Sequence, residues 1–275
     1  MDTLKFLTAG IPLSAEKQGY KAGFETLKKL NLDGLEAEFV HGVRISEEGT
    51  NIVKQAVSDG FTVTCHGPYY INLNAKEPEK IEASVNRILE TARAAKKINA
   101  YSITFHAAFY MGNDKDVVFD RVVKQFETIM SVLKEEDNNV FVRPETTGKG
   151  TQWGTYEEIV KLSKLFDNVL PCVDFSHVHA RTGGKYNTYD EFCKIFELIG
   201  NTLGDFALQN FHAHIAGIEY SSKGEKKHLI LEESDMNYKD LLKAFKAFNV
   251  KGAVVCESPN IEDDAQLLKQ YYLSL

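Results

Sequence analysis

The sequence lacks the features that mark membrane, secreted and dinucleotide-binding proteins. None of its 275 residues lies in an apolar run of about 18, and no basic segment followed by an apolar one opens the chain. Its four cysteines form no CxxC pair, which favours a reduced intracellular protein over a disulfide scaffold. No glycine-rich phosphate loop and no Pro-, Gly- or Ser-rich linker is evident. We therefore expect one domain over residues 1–275, monomeric, cytoplasmic or nucleoid-associated, and without a membrane partner.

Positive charge is also scarce, with 39 acidic residues against 32 basic ones and a formal net charge of −7. Taken alone, this balance argues against a nucleic-acid partner. The argument fails where several acids are metal ligands, because bound divalent cations reverse the local sign of the charge. The overall charge therefore leaves a DNA-binding function open, and we expect the protein without metal to repel DNA.

What the sequence does contain is one unit repeated along the chain, a short apolar strand followed by a longer amphipathic segment. Helical spacing of apolar residues is clearest over residues 81–98, 117–133 and 189–199. Strands are predicted over residues 4–11, 34–40, 62–67, 102–106, 139–145, 170–175, 211–215 and 253–257. Alternation of strand and helix implies parallel pairing. Eight such units favour a single (β/α)8 TIM barrel of the α/β class over an open doubly wound sheet.

Candidate functional residues lie where these strands end, which in a parallel barrel is one rim. Six of the eight predicted strands end in a histidine or an acid. The set, with two further histidines, is His66, His106, Glu145, Asp174, His177, His214, His228 and Glu257. Imidazole and carboxylate without thiolate suit Zn, Mn or Fe, and a shared carboxylate can hold two ions. One such residue alone is more often a hydrogen-bonded core residue, but six in register favour a metal centre.

Side-chain alternation along a strand places further charges in the barrel. Arg143 falls on the face of Glu145, and Glu36 falls on the face of Glu38. If the ligands point inward, so do these side chains. We expect Arg143 to pair with Glu36 or Glu38, because an unpaired buried charge is costly.

Four of the strand ends carry longer motifs. His66-Gly-Pro-Tyr-Tyr-Ile-Asn-Leu is similar to a known His-Ala-Pro-Tyr-Leu-Ile-Asn-Leu segment, and Glu145-Thr-Thr-Gly-Lys-Gly to Glu-Asn-Thr-Ala-Gly-Gln-Gly. Asp174-Phe-Ser-His177 resembles Asp-Thr-Cys-His, and Glu257-Ser-Pro resembles Glu-Thr-Pro. In order and spacing, from about residue 60 to residue 260, these motifs resemble the endonuclease IV family of apurinic/apyrimidinic endonucleases, within the xylose-isomerase-like TIM barrel group.

The resemblance implies a hydrolase that binds three Zn2+ ions, and the donor set also suits Mn2+. It implies a first ion on His66, His106 and Glu145, a second on Glu145, Asp174, His214 and Glu257, and a third on His177 and His228. That family also takes an Asp for the third ion from an Asp-Arg-His triplet, where this chain reads Lys226-Lys227-His228. A charged lysine cannot be a ligand. The chain is therefore expected to hold two ions, or three if Glu225, Glu219 or a phosphate completes the third site.

The resemblance also implies a DNA repair endonuclease that cleaves 5′ to abasic sites and leaves a 3′-hydroxyl and a 5′-deoxyribose phosphate. Glu145 would be its catalytic carboxylate, and double-stranded DNA with abasic or 3′-blocked sites its partner. Candidate DNA contacts, for which ordinary rim aromatics and solvated charges are the competing interpretation, are Tyr69, Tyr70, Lys149, Lys226 and Lys227. The DNA-penetrating arginine loop of that family has no match after the second strand, where Arg44 is only a partial substitute.

Two other functions remain open. Single-metal sugar isomerases and epimerases of the same barrel group use Glu, Asp, His and Glu on strands five to eight. The residues that fit this pattern equally well are Glu145, Asp174, His214 and Glu257. His66 and His106 favour the endonuclease, because a single-metal site does not need them. The third alternative is a non-catalytic barrel that keeps its ligands for stability and binds a partner.

Overall fold

The computed structural model describes residues 2–275, which contain twelve strands and ten α-helices. The strands are β1 (Leu4–Ala9), β2 (Gly34–Glu38), β3 (Thr62–His66), β4 (Ser102–Phe105), β5 (Ala108–Phe109), β6 (Phe141–Pro144), β7 (Gln152–Trp153), β8 (Val173–Asp174), β9 (Phe211–Ile215), β10 (Gly217–Ser221), β11 (Gly224–Leu229) and β12 (Gly252–Cys256). The helices are α1 (Tyr20–Lys29), α2 (Glu47–Ser58), α3 (Pro78–Lys97), α4 (Lys115–Glu135), α5 (Tyr156–Ser163), α6 (Phe175–Arg181), α7 (Tyr189–Leu203), α8 (Asp205–Gln209), α9 (Tyr238–Ala247) and α10 (Glu262–Ser274).

Eight of these strands form one parallel sheet in the order β6-β4-β3-β2-β1-β12-β9-β8. Its two edges are joined by the parallel bridges Val142↔Val169 and Glu145↔Cys172. The Cys172 N–H donates to the Pro144 carbonyl across this seam at 3.1 Å. The sheet therefore curls back on itself, and the predicted (β/α)8 barrel is confirmed.

The outer helices follow the predicted amphipathic segments and extend them by a few residues. In α3, for example, Val85, Ile88 and Leu89 are buried against the sheet, and Pro78 stands in the first turn where its missing N–H costs nothing. Among residues 2–275, none of the helices is long and apolar enough to cross a bilayer.

The sixth barrel strand is shorter than predicted. Its pairing is regular only over β8, because Pro171 lacks an N–H for the ladder. Asp174 then ends the strand and caps α6, and its Oδ1 accepts from the His177 N–H at 2.7 Å. The cap places two candidate ligands one helical turn apart on the same rim.

Two small antiparallel sheets stand on the rim: the first pairs β5 with β7, and the second is the hairpin β10–β11. The second is attached to the loop after β6 through the bridge Lys149↔Gly224. The Glu225 N–H donates to the Gly148 carbonyl at 2.9 Å in the same place. Hairpin β10–β11 is thereby held over the end of the fifth barrel strand, beside Glu145.

Arg143 points into the barrel as expected, but its predicted pairing with Glu36 or Glu38 is wrong. The guanidinium is 1% exposed and donates to the carbonyls of Pro171 at 3.1 Å and Asn210 at 2.6 Å. It also stacks on the Tyr101 ring, with its central carbon 5.3 Å from the ring centroid. Alternation fixes the face of a side chain but not its height, because barrel strands are tilted and staggered. Arg143 thus meets carbonyls at the far end of the barrel and not the carboxylates of β2.

Candidate metal centre

The eight predicted ligands converge on one rim, where their ligand atoms form three groups. Within each group the atoms lie within 4.8 Å of one another. The first cluster is His66, His106 and Glu145; the second is Glu145, Asp174, His214 and Glu257; and the third is Asp174, His177 and His228. They come from seven separate segments of the chain, which only the parallel topology brings together.

Glu145 is the centre of this arrangement. Its Oε2 lies 3.2 Å from His66 Nε2, and its Oε1 lies 3.3 Å from His106 Nε2 and 3.4 Å from His214 Nδ1. The carboxylate is 1% exposed, yet it lines a cavity of about 310 Å3 at the barrel mouth. Glu145 belongs to the first and second clusters and Asp174 to the second and third, so the three clusters form one connected centre.

The carboxylates of the centre have widely separated pKa values. Burial opposes their ionisation, but the facing imidazoles of His106 and His214 outweigh it and hold the pKa of Glu145 well below its usual range. Burial, countered in part by His177, raises the pKa of Asp174 to about 8, with the neighbouring charges of Glu257 and Glu145 adding to it. Opposed environments of this kind are typical of functional sites.

The imidazoles are shifted by the same contacts. Burial lowers the pKa of His66, but its hydrogen bond to Glu145 dominates and raises that pKa to about 10. Burial, together with the nearby imidazole of His177, lowers the pKa of His228. Without an ion, the centre therefore stores protons between imidazole and carboxylate, and cation binding would release them because metal ligands must be deprotonated.

The donor set fits divalent ions. Asp174 Oδ2, His214 Nδ1 and His228 Nε2 are buried and have no hydrogen-bond partner among the described residues. Each belongs to a residue of a cluster, and buried polar atoms normally have a partner. Nitrogen and oxygen donors without thiolate suit Zn2+ or Mn2+ in a reactive site.

Lys226 does not occupy the position of a third-cluster ligand. A β-bulge between Glu219 and Tyr220 pairs Lys227 with Glu219 and Glu225 with Tyr220, which leaves Lys226 unpaired. The Lys226 and Lys227 ammonium groups both point to the exposed Glu219 carboxylate, at 2.9 and 3.6 Å. Alternation turns Lys227 away from the third cluster, and the bulge does the same for Lys226.

Glu225 lies inside instead. Its Oε2 is 3.7 Å from His177 Nε2, and the side chain lines the same cavity as His228. Of the two acids considered from the sequence as substitutes, Glu225 reaches the third cluster, whereas Glu219 is held outside by the lysines.

The candidate DNA contacts lie on loops and a hairpin of the rim, and of these residues Tyr69 lines the cavity. Tyr69 and Tyr70 are 58% and 66% exposed on the loop after β3. Lys149 is exposed on the loop after β6. Two large apolar side chains that the sequence did not single out, Leu13 and Met111, are 60% and 48% exposed on neighbouring loops. In the sequence, only their position in loops that follow barrel strands could have indicated that they lie at the rim.

Below the rim, the sequence missed a fourth group of potential ligand atoms, formed by Cys172, His212 and His214. All three side chains are fully buried. His212 Nε2 and His214 Nε2 face the carboxylate of Glu36 at 3.3 and 3.0 Å. Strand alternation predicted that Glu36 points inward but did not identify these partners.

Comparisons with known proteins agree with this architecture. A family model described as "Xylose isomerase-like TIM barrel" matches residues 24–271. Protein MJ0133 of Methanocaldococcus jannaschii is 44% identical over 273 residues, which is 99% of this chain and 98% of that protein. A probable endonuclease 4 of Sulfurihydrogenibium sp. is 27% identical over 117 residues, 42% of each chain.

Two kinds of solved structure share the fold. A D-tagatose 3-epimerase-like protein aligns with a TM-score of 0.75 at 17% identity, over 98% of this chain and 97% of that one. Endonuclease IV from Thermus thermophilus aligns with a TM-score of 0.72 at 15% identity, over 97% and 99% of the two chains. Both likenesses establish the common barrel.

Proposed function

The chain belongs to the xylose isomerase-like TIM barrel family, and from that premise we propose that it is a metal-dependent DNA repair endonuclease. Its substrate would be double-stranded DNA with abasic or 3′-blocked sites, cleaved 5′ to the abasic residue to leave a 3′-hydroxyl. The partial sequence likeness to a probable endonuclease 4 supports this proposal.

The observation that carries the proposal is the number of imidazoles beyond a single-ion site. Glu145, Asp174, His214 and Glu257 are sufficient to hold one ion. Yet His66 and His106 meet Glu145 on one side, and His177 and His228 meet Asp174 on the other. A sugar isomerase with one ion has no use for these four histidines, whereas phosphodiester hydrolysis benefits from several adjacent cations.

We assign the first ion to His66, His106 and Glu145, and the second to Glu145, Asp174, His214 and Glu257. The third would be held by Asp174, His177 and His228 together with Glu225, which supplies the carboxylate that Lys226 cannot. The 3.7 Å approach of Glu225 to His177 supports this assignment. Bound divalent cations would supply Lewis-acid activation of water and neutralise the phosphate charge.

The chain's own groups then have defined tasks. Glu145 would fix the spacing of the first two clusters and orient the attacking water, because its two oxygens face both. Tyr69 and Tyr70, with the exposed Leu13 and Met111, are suited to fill the gap left by an abasic nucleotide that leaves the helix. The exposed ammonium of Lys149 is suited to contact phosphate. Lys226 and Lys227 would contact phosphate only by loosening from Glu219.

A single-ion sugar epimerase is the second candidate. It is favoured by the completeness of the second cluster, which needs no other residue, and by the fold shared with a D-tagatose 3-epimerase-like protein. Acid–base chemistry on a ketose would then fall to Glu145 and Glu257, which lie 3.4 and 3.3 Å from His214 Nδ1.

The two candidates are separated by one experiment. Purified protein is incubated with a duplex that carries a tetrahydrofuran abasic analogue, with and without EDTA, beside a panel of ketoses. We expect EDTA-sensitive scission and no ketose turnover. His66→Asn should abolish scission, whereas an epimerase that uses only the second cluster would retain its activity in this variant. Ketose turnover with intact DNA would overturn the proposal.

A further inference from the structure

The histidines of the centre differ in what holds the ring nitrogen that faces away from the clusters. In two of them, Nδ1 lies against a main-chain carbonyl: His66 at 2.7 Å and His228 at 3.2 Å. A carbonyl only accepts, so each ring carries its proton on Nδ1 and presents Nε2 as the ligand atom. His214 is reversed, because its Nδ1 faces the second cluster and its Nε2 points down into the barrel.

The partner of His214 Nε2 is a carboxylate that also faces a second imidazole. Glu36 Oε1 lies 3.0 Å from His214 Nε2, and Glu36 Oε2 lies 3.3 Å from His212 Nε2. All three side chains are 0% exposed. The Ser102 hydroxyl completes the group at 3.2 Å from His212 Nδ1.

For the neutral imidazoles that ion binding requires, proton accounting leaves one arrangement without a clash of lone pairs. Glu36 has only acceptors when it is ionised, so it requires a proton on the Nε2 atoms of both His212 and His214. The Ser102 hydroxyl can then donate to His212 Nδ1. His214 Nδ1 is left as a bare lone pair, 3.4 Å from Glu145 Oε1 and 3.3 Å from Glu257 Oε1.

A lone pair that faces two carboxylates is repelled unless a cation lies between them. Neither ring nitrogen of His214 has a hydrogen bond of good geometry within residues 2–275. Outer carboxylates that orient a ligating histidine are a general device of metal sites.

We propose that Glu36 is a positioning residue that holds His214 as the Nε2–H tautomer and thereby aims its Nδ1 lone pair at the ion of the second cluster. The inference rests on the metal centre of the proposed function but not on its DNA substrate. It holds equally for a single-ion enzyme, because His214 belongs to the cluster that both candidates share.

Glu36→Leu makes a specific prediction. Its apolar side chain offers no acceptor to either imidazole, so nothing at position 36 favours the Nε2–H tautomer of His214. The proton can then reside on Nδ1, which cannot bind an ion while it carries a proton. Glu36→Asp keeps both acceptors and should keep the tautomer. Thr64→Val is the matched control, because Thr64 is buried and lies opposite Glu36 on the neighbouring strand.

The experiment measures two quantities on zinc-loaded protein. Long-range 15N–1H spectra of [15N]histidine-labelled protein, with His214 assigned by its loss in His214→Asn, report the tautomer. Competition with a chromogenic chelator reports zinc affinity. We expect Nε2–H at His214 in the wild type and in Glu36→Asp, loss of that preference in Glu36→Leu, and zinc binding about 10- to 100-fold weaker in Glu36→Leu. Thr64→Val should match the wild type in both measurements.

Three results would overturn the inference: no proton on His214 Nε2 in the wild type, unchanged zinc affinity in Glu36→Leu, or equal weakening in Thr64→Val. An additional ion held by Cys172, His212 and His214 would give the first of these results. The wild-type spectrum decides even if Glu36→Leu does not fold. A protein that fails to cleave abasic DNA but shows the expected tautomer would contradict the proposed function and leave this inference standing.

Discussion

The rim takes its candidate ligands from two kinds of structure, which differ in how firmly they are held. Glu145, Asp174 and His214 come from the ends of parallel strands and are at most 1% exposed. Glu225 and His228 come from hairpin β10–β11, where they are partly exposed and the register is broken by a bulge. The strand-borne ligands are placed by the barrel ladder itself, whereas the hairpin-borne ligands depend on a few local contacts. The first two clusters should therefore be robust and the third one adjustable.

The largest effect is expected from Glu145, the residue that the first and second clusters share. Glu145→Gln keeps the shape of the side chain but removes the charge that two clusters share. We expect loss of both strand-borne ions by elemental analysis and at least about a 10³-fold drop in abasic-site cleavage, since metal charge stabilisation is worth several kcal/mol. Glu232→Gln removes the same charge from an exposed surface position and should stay near wild type. Full ion content in Glu145→Gln would contradict the central role of this carboxylate.

Glu225→Gln tests the contribution of the ligands on hairpin β10–β11. Because Glu225 reaches only the third cluster, we expect one ion to bind at least about 10- to 100-fold more weakly while the other two stay bound. Stoichiometry by elemental analysis at increasing chelator concentration distinguishes the ions. Simultaneous loss of all ions would mean that the third cluster is not independent of the barrel strands.

A pair of glycines in one loop tests how the hairpin is held. A Cβ at Gly148 would lie 2.6 Å from the Glu225 Cβ and 3.1 Å from His177 Cδ2, whereas a Cβ at Gly150 would meet no atom within 4 Å. Gly148→Ala should push the hairpin outward and weaken the third ion about tenfold, or about 1.4 kcal/mol. Gly150→Ala is the control and should bind it normally. Equal behaviour of the two variants would show that this contact does not position Glu225.

The smallest effect concerns a rim loop that is held by a carboxylate and needs no ion. Glu262 accepts from the N–H groups of Leu13 and Ser14 at 2.8 and 2.7 Å. Burial acts to raise its pKa, but these N–H groups outweigh burial and lower it below the usual value. The resulting stability is present above the ordinary carboxyl pKa and is lost as the pH falls through the lowered one.

Glu262→Gln should therefore cost about 1 kcal/mol at neutral pH and less in acid. Urea unfolding at both pH values measures the difference, with the exposed Glu232→Gln as control. A cost that does not change with pH would mean that the charge of Glu262 is not involved.

Much of the barrel could be predicted because its signals are local. Apolar strands alternate with amphipathic helices, and parallel pairing then brings His66, Glu145 and Glu257 to one rim although they are far apart in the chain. The same reasoning could not find the partners of Arg143, since strand tilt sets the height of a side chain and no local pattern encodes it.

The hairpin could not be predicted for a different reason. Alternation counted back from His228 puts Lys226 on the inner face, whereas the bulge puts Glu225 there. A bulge is one unpaired residue, and its place depends on which partner strand the chain meets. The sequence could name Glu225 and Glu219 as alternatives, but only the pairing distinguishes them.

The bulge has a consequence for how such a centre can diverge. Where ligands stand on barrel strands, the position of each is tied to its neighbours, and a shift by one residue would reverse the face of the whole strand. A bulge instead shifts the inward-facing position of a strand by one residue. An acid next to the position expected from a sequence alignment can then become the ligand. Column-by-column comparison of relatives would then score a lost ligand where the centre has only moved it to the adjacent residue.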